Sequence, residues 1–394
     1  MIVRQRLASV SALIVFVALS PMALAAGWSS VQTPKNSFLD GLGCRSTRWC
    51  MGVGTGRTGL TAAFWNGRRW KLIARPRLPA HAEGGSLSAV TCRSEQACVA
   101  VGLFATGQYR PERPLIERWN GRAWRIETAP NAPAPAPYRA SNTYLAAVAC
   151  PGARLCFAVG HAVPFGAGNA PGGPLIERWN GSRWRLASSP PGDSPLTALS
   201  CTATRICTAV GGFEYVTGTP DAGNEQVRYA SIVERWSGST WSLGSLTPPA
   251  GADGAGLLGV SCTSLNTCMG VGSQLNTVNA VQGVNQSIAG AGDGTLFSAA
   301  PVPNPPGADR GGSSSGEPQT VLTAIACTTS AQCAAVGHYE ATNGALGPLA
   351  AIWNGTGWAQ TALRRGPVAL SSVACPALGW CLSVGDGIAE RWIG

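Results

Sequence analysis

The sequence predicts an all-β protein: a seven-bladed β-propeller of four-stranded antiparallel blades, its ring closed by the N-terminal strand in the last blade. Three observations carry the prediction. A cysteine pair recurs seven times at one internal spacing, a tryptophan box recurs between the pairs, and the two chain ends complete each other. Composition agrees with a packed, often-interrupted chain. Among 394 residues there are 51 glycines and 28 prolines, 45% are hydrophobic and only 12% charged, which excludes a disordered acidic or basic tail protein. The formal net charge of +10 is modest for this length and is not gathered in one run.

Residues 1–25 read as a signal peptide. Arg4 and Arg6 precede an apolar stretch from Leu7 to Leu19, and Ala23 and Ala25 supply the small-x-small pattern, with cleavage expected before Ala26. The apolar run is short for ~30 Å of hydrocarbon and Pro21 interrupts it, so export with cleavage is preferred to a membrane anchor. No later stretch is apolar enough to span a membrane. Residues 26–394 are expected to be secreted and to form one propeller domain.

Every cysteine belongs to a pair with five residues between its members: Cys44/Cys50, Cys92/Cys98, Cys150/Cys156, Cys201/Cys207, Cys262/Cys268, Cys327/Cys333 and Cys375/Cys381. An apolar run such as Leu87-Ser-Ala-Val-Thr91 precedes the first cysteine, and a small-residue strand ending in Val-Gly, such as Val99-Ala-Val-Gly102, follows the second. Facing residues of adjacent antiparallel strands lie at a separation that a disulfide accepts, so each pair is expected to bridge its own A–B hairpin. Both members of every pair therefore count among the site residues, as disulfides. Such a bridge contributes roughly 2–3 kcal/mol in the chain-entropy account. The alternative is metal or redox chemistry, but zinc sites use tighter spacing and the chain has only three histidines. No metal and no cofactor is expected.

The second box reads Leu115-Ile-Glu-Arg-Trp-Asn-Gly-Arg-Ala-Trp124 and Leu175-Ile-Glu-Arg-Trp-Asn-Gly-Ser-Arg-Trp184, with variants at Ala62 to Trp70, Ile232 to Trp241 and Ala350 to Trp358. Asn-Gly between β-prone residues predicts a hairpin with positive φ at both turn residues. The flanking tryptophans should share one face of it. The fifth repeat departs: Ile288 to Phe297 keeps Asp293-Gly294 and an aromatic but has no tryptophan. Each repeat therefore holds strand A up to the first cysteine, B from the second, C through Glu-Arg-Trp and D from the second tryptophan. At the C-terminus, Glu390 to Gly394 begins a hairpin that lacks its D strand, and Ala26 to Pro34 is a D strand that lacks its C strand. Joining them closes the ring, which a solenoid would not need.

Strand order and closure resemble those of WD-repeat and Kelch propellers, and the aromatic box after a Gly-rich strand is similar to Asp-box repeats and photosystem II assembly-factor-like propellers. The likeness covers residues 27 to 394 and implies architecture without implying an activity. The Cys-x5-Cys box departs from intracellular members and suits a secreted bacterial variant.

The repeated Glu117, Glu177, Glu234 and Glu390 point to a structural network, with the neighbouring arginines stacked on indoles. Asn180-Gly-Ser182 and Asn354-Gly-Thr356 match glycosylation acceptors but lie in the hairpin turns. Arg68, Arg69, Lys71, Arg75, Arg77, Arg122, Arg125, Arg183, Arg185, Arg364 and Arg365 form a scattered basic rim, not the clustered face with interleaved aromatics that nucleic acid requires.

Length varies only in the B–C and D–A connections, which share one face of the disc, and insertions on one face of a repeat protein mark a binding surface. The tyrosines and histidines gather there. Tyr109, His161, Tyr215, Tyr229, His338 and Tyr339 are the candidate ligand-binding residues, against the alternative that loops collect what the repeat excludes. Non-repeated acids on this face are Glu112, Glu214, Asp221, Glu225, Asp309, Glu317 and Glu340, and no catalytic residue is assigned. The function expected is a non-catalytic recognition or scaffold propeller that binds a carbohydrate or protein at the cell surface. The runner-up is an extracellular polysaccharide hydrolase or lyase that uses carboxylates of the same face, for which a carboxylate pair at the channel mouth would be the sign.

Overall fold

Seven sheets radiate around one axis in a computed structural model that describes residues 27–166, 172–203, 205–217, 226–279, 282–304, 319–340, 345–363 and 368–394. The expected signal peptide lies outside the described residues. Six of the sheets are four-stranded and run A-B-C-D from the inside outward, all antiparallel. The innermost strands touch in a ring, from Ser37–Ser46 of blade one through each blade in turn to Ser372–Ala377 of blade seven and back to blade one. Among the described residues no helix is long and apolar enough to cross a membrane.

The ring closes as the chain ends require. Gly27–Val31 pairs with Ile388–Ile393, placing Trp28 opposite Trp392 as blade seven's outer strand. Polar bonds reinforce the closure: Ser30 Oγ donates to Glu390 Oε1 at 2.7 Å and Thr33 Oγ1 to the Gly387 carbonyl at 2.6 Å.

Seven intrablade disulfides form, Cys44–Cys50, Cys92–Cys98, Cys150–Cys156, Cys201–Cys207, Cys262–Cys268, Cys327–Cys333 and Cys375–Cys381, and no cysteine is free. The two members of a pair are not buried alike. The first cysteine of each pair is partly exposed on strand A. The second is a core residue: Cys50, Cys98, Cys156, Cys207, Cys268, Cys333 and Cys381 are at most 4% exposed, and each joins one of the seven apolar clusters. Register is the reason. Strand B lies between A and C, so Cys50 has Cys44 on one side and Trp65 on the other. Cys98, Cys156, Cys207, Cys333 and Cys381 face Trp119, Trp179, Trp236, Trp353 and Trp392 in the same way. In blade five Cys268 faces Gly292, where the tryptophan is missing. These seven cysteines therefore belong to the packed frame and not to a surface that a ligand could reach.

In blades one, two, three, five and six strand A carries a bulge in its middle, for example between Leu87 and Ala89 of blade two, and a second at the cysteine end; in blades four and seven the strand begins after the first of these points. At the first bulge the Val-Gly glycine of strand B lies under the carbonyl that precedes a buried leucine. A Cβ on Gly102 would run into the Ser86 carbonyl oxygen, and Gly54, Gly160, Gly211, Gly272, Gly337 and Gly385 face the corresponding carbonyls of their own blades. The leucines that follow, Leu39 to Leu370, are at most 1% exposed in all seven blades and fill the spaces between neighbouring sheets.

The tryptophan box locks the other face of the disc. Trp65 sits directly opposite Trp70, Trp119 opposite Trp124 and Trp353 opposite Trp358, with ring centroids 5.5–5.8 Å apart. Trp65 donates its indole N–H to the Thr47 carbonyl and Trp119 to that of Glu95, tying the C–D turn to the A–B turn of the same blade. The turn itself differs from the expectation. Gly121 has φ +91° while Asn120 stays at negative φ, because the Asn120 side chain accepts from the Arg122 and Ala123 amides and closes a four-residue loop. The Asn180 side chain is used in the same way, consistent with a structural role for that acceptor motif.

Blade five differs in strand number. A short strand leaving blade four, Ser245–Thr247, pairs parallel to its outer strand Leu296–Pro301 and makes it five-stranded, while Phe297 takes the place of a tryptophan in the core.

The Glu-Arg-Trp residues join blade to blade. Glu117, Glu177 and Glu234 are fully buried. Glu117 accepts from the Arg77 amide at 2.8 Å and Glu234 from Ser189 Oγ at 2.7 Å, so the segment leaving one blade bonds the acid of the next. Ala129 aligns with Ser189, and Glu177 accordingly finds no hydrogen-bond partner among the described residues. Burial pushes the Glu177 carboxyl up to about 8 and those of Glu117 and Glu234 up to about 7, so near neutral pH Glu177 is mostly protonated and the other two are about half protonated.

Gly102→Ala should cost about 1–3 kcal/mol in chemical denaturation, since the added methyl must displace the bulge backbone. Gly84→Ala, where a Cβ meets open space, should be nearly neutral. Equal melting of the two variants would contradict the close approach.

Candidate functional site

Because the A–B and C–D turns share one face, the starts of strands A and C and the ends of strands B and D make up the opposite, variable face. Two polar clusters form there at the ends of the inner strands.

The first joins blades two and three. Tyr144 lies on the innermost strand of blade three, Ser141–Gly152, in register with His161 on the next strand, and the rings stack at 4.5 Å with an interplanar angle of 23°. The Glu112 carboxylate of blade two lies close enough to the Tyr144 side chain to act on it electrostatically. Glu112 is held by its backbone: its amide donates to Asn142 Oδ1 at 3.0 Å and its carbonyl accepts from the Thr143 amide at 3.0 Å. Burial and the Glu112 carboxylate together push the Tyr144 phenol well above its ordinary range, and burial lowers His161, which is neutral at pH 7. His161 pairs with Pro174, and Pro174 and Ala162 line a cleft of about 540 Å³ walled by Pro133, Pro135, Pro164 and Pro190. Ser141, Ser189 and Asp193 supply the cleft's polar groups, while Tyr144 and His161 are not among the residues that line it; apolar walls with a few polar groups suit recognition of a small ligand or peptide.

The second cluster spans blades six, seven and one. His338 ends the second strand of blade six, and Asp386 sits in the B–C turn of blade seven at φ +38°. Asp40 lies at the bulge of blade one's inner strand. Asp386 Oδ2 accepts from the Ala369 amide at 3.0 Å. Burial first and the Asp386 charge second push the Asp40 carboxyl up to about 6. Burial lowers His338, while Asp386 and Glu340 oppose that shift. Among the described residues no group of three His, Cys, Asp or Glu side chains is placed to hold a metal ion.

The candidate residues fall unevenly. Tyr109 is 84% exposed at a B–C turn and free to meet a partner. Tyr229 packs over Gly254 and Gly256 of blade five, with its hydroxyl 3.2 Å from Ser273 Oγ, and Tyr339 packs over Gly347. The Tyr215 and Glu214 side chains, and Asp221, Glu225, Asp309 and Glu317, lie outside the described residues, as do Arg364 and Arg365. Asp40 and Asp386 were not among the acids expected, since they stand 346 positions apart and only ring closure makes them neighbours.

No family model matches the chain, and no curated protein matches it. Solved structures do. A streptogramin B lyase is 10% identical, with 93% of this chain and 97% of that one covered and a TM-score of 0.52. A YCF48 protein from Cyanidioschyzon merolae is 14% identical, covering 94% and 99%, with a TM-score of 0.49. The Pan2 WD40 domain of Neurospora crassa is 8% identical, covering 93% and 95%, also at 0.49. At these identities the likeness to the lyase is one of fold alone.

In Asp386→Asn, NMR titration should show both the Asp40 carboxyl and the His338 ring titrating lower. The first loses a like charge that disfavours ionisation, and the second loses an opposite charge that favours it. Unchanged midpoints would show that the three blades do not meet electrostatically.

Proposed function

We propose that the protein is a secreted, non-catalytic recognition propeller. Residues 1–25 are removed on export, and residues 26–394 act as one domain that binds a carbohydrate or protein partner at the cell surface through the variable face. The observation that carries this reading is the proline-walled cleft of about 540 Å³ on that face, whose apolar walls carry the polar side chains of Ser141, Ser189 and Asp193. Tyr109 and Tyr215 stand on neighbouring connections, His338 serves the other side of the channel mouth, and Tyr229 and Tyr339 shape the roots of their loops. Seven disulfides suit an oxidising compartment outside the cytosol and support the export reading.

One observation favours the hydrolase or lyase alternative. The Asp40 carboxyl, raised to about 6 by burial first and by the Asp386 charge second, is an acid of the kind that polysaccharide cleavage uses. Loss of reducing-sugar release in Asp40→Asn would be its signature.

A glycan array and a cell-surface pull-down with the purified protein test the leading reading. Tyr109→Ala and His161→Ala should weaken binding by about 2 kcal/mol each, near thirtyfold, while Arg68→Ala and Arg122→Ala leave it unchanged. Binding that depends on the rim arginines and collapses with salt would place the contact on the outer edge instead.

A further inference from the structure

The Glu-Arg-Trp arginines bridge the blades, and the two best-formed bridges differ by one carboxylate. Arg118 of blade two lies over Trp179 of blade three, its guanidinium carbon 4.4 Å from the ring centroid. Directly across the hairpin stands a second cation, Arg125. Glu127 offsets the charge: its Oε1 accepts from Arg118 Nε at 3.0 Å.

One blade further, Arg178 lies over Trp236 at 5.2 Å and Arg185 faces it across the hairpin. The residue aligned with Glu127 is Ala187. Facing like charges on paired strands repel, and among the described residues no ion pair relieves these two. Arg178 is exposed, whereas Arg118 is about one-third exposed. Around Arg178 and Arg185 the structure opens a cavity of about 830 Å³, with Asn180, Ser188, Ser239 and Thr240 on its walls and Trp236 and Trp241 behind them. Pockets of about 300–1,000 Å³ hold small organic ligands.

We propose that this rim groove between blades three and four binds an acidic oligosaccharide, with a uronate carboxylate taking on Arg178 the place that Glu127 takes on Arg118. A guanidinium prefers a planar carboxylate that it can engage through two N–H groups, and its stacking on the Trp236 indole holds it in one orientation. The amide and hydroxyl groups of the walls match the hydroxyls of sugar rings. An acidic peptide would have to add to the edge of Trp184–Leu186, a strand of only three residues. The groove shares Leu186, Ala187, Ser189 and Pro190 with the proline-walled cleft, and only the groove contains Arg178 and Arg185, so loss of binding in Arg178→Ala reports on the groove.

Isothermal titration of the full protein at low salt with tetragalacturonate, maltotetraose and hexaglutamate tests the proposal. Tetragalacturonate should bind, and maltotetraose and hexaglutamate should bind at least tenfold more weakly. Arg178→Ala should weaken tetragalacturonate at least tenfold. Ala187→Glu should do the same while melting no lower than wild type, because it supplies the internal carboxylate that blade two already has. That second variant separates an occupied site from a misfolded one. Failure of the wild type to bind tetragalacturonate, equal binding by wild type and Ala187→Glu, or tighter binding of hexaglutamate would each overturn it.

Discussion

The approach of seven strand-B glycines to seven strand-A carbonyls underlies the rest of the molecule. Without a side chain at Gly102, the bulged backbone at Ser86 sinks onto the neighbouring strand, and Leu87 is carried into the space between sheets. The bulge also sharpens the local twist, which wedge-shaped blades packed around an axis require. At some junctions the same residues make the contact between blades: the Leu196 amide donates to the Gly160 carbonyl, and that of Leu370 to the Gly337 carbonyl. One residue on, Thr197, Thr323 and Ser371 donate their hydroxyls to carbonyls of the following blade. Disulfides and tryptophan pairs then clamp the other face, leaving the variable connections to diverge.

Much of this was legible in the sequence because it is local and repeated. Cysteines six positions apart in an A–B hairpin fall within reach of each other, and tryptophans flanking Asn-Gly fall on one face. The N-terminal strand was legible because Trp392-Ile-Gly394 and Ala26-Gly-Trp28 together complete a template that five other blades print whole. What was not legible depends on contacts between strands and repeats. Burial of the second cysteine, as at Cys98 against Trp119, follows from the register of strand C and not from the spacing within the pair. The parallel strand Ser245–Thr247 carries no hairpin signal, since it pairs with a strand of the following blade. Stacking of Arg118 on Trp179 is a relation between neighbouring blades, although the sequence suggested an arginine–indole unit. Asp40 and Asp386 were missed because each looks like an ordinary turn residue of its own repeat. Closure of the ring, which the sequence did imply, was the signal that could have paired them.

Departures from the repeat are where chemistry accumulates. Ser189 gives Glu234 a partner that Ala129 does not give Glu177, and Glu127 gives Arg118 a carboxylate that Ala187 does not give Arg178. In blade five, which lacks the tryptophan, Arg235 donates to the Asp293 and Leu265 carbonyls at 2.6 Å instead of covering an indole. On the opposite face, His161 recurs only as His338 of blade six, where Val321 stands in place of Tyr144. The repeat supplies a rigid frame, and single deviations from it supply the groups on which the proposed recognition rests.

That frame is rigid only if the ring is closed, and native-state hydrogen exchange of the intact protein tests closure most directly. The amides of Gly27–Val31 and Ile388–Ile393 that bond between these strands should be protected to the same degree as those between the inner strands of blade four. Rapid exchange confined to Gly27–Val31, with the other blades protected, would show an open seventh blade and contradict the account.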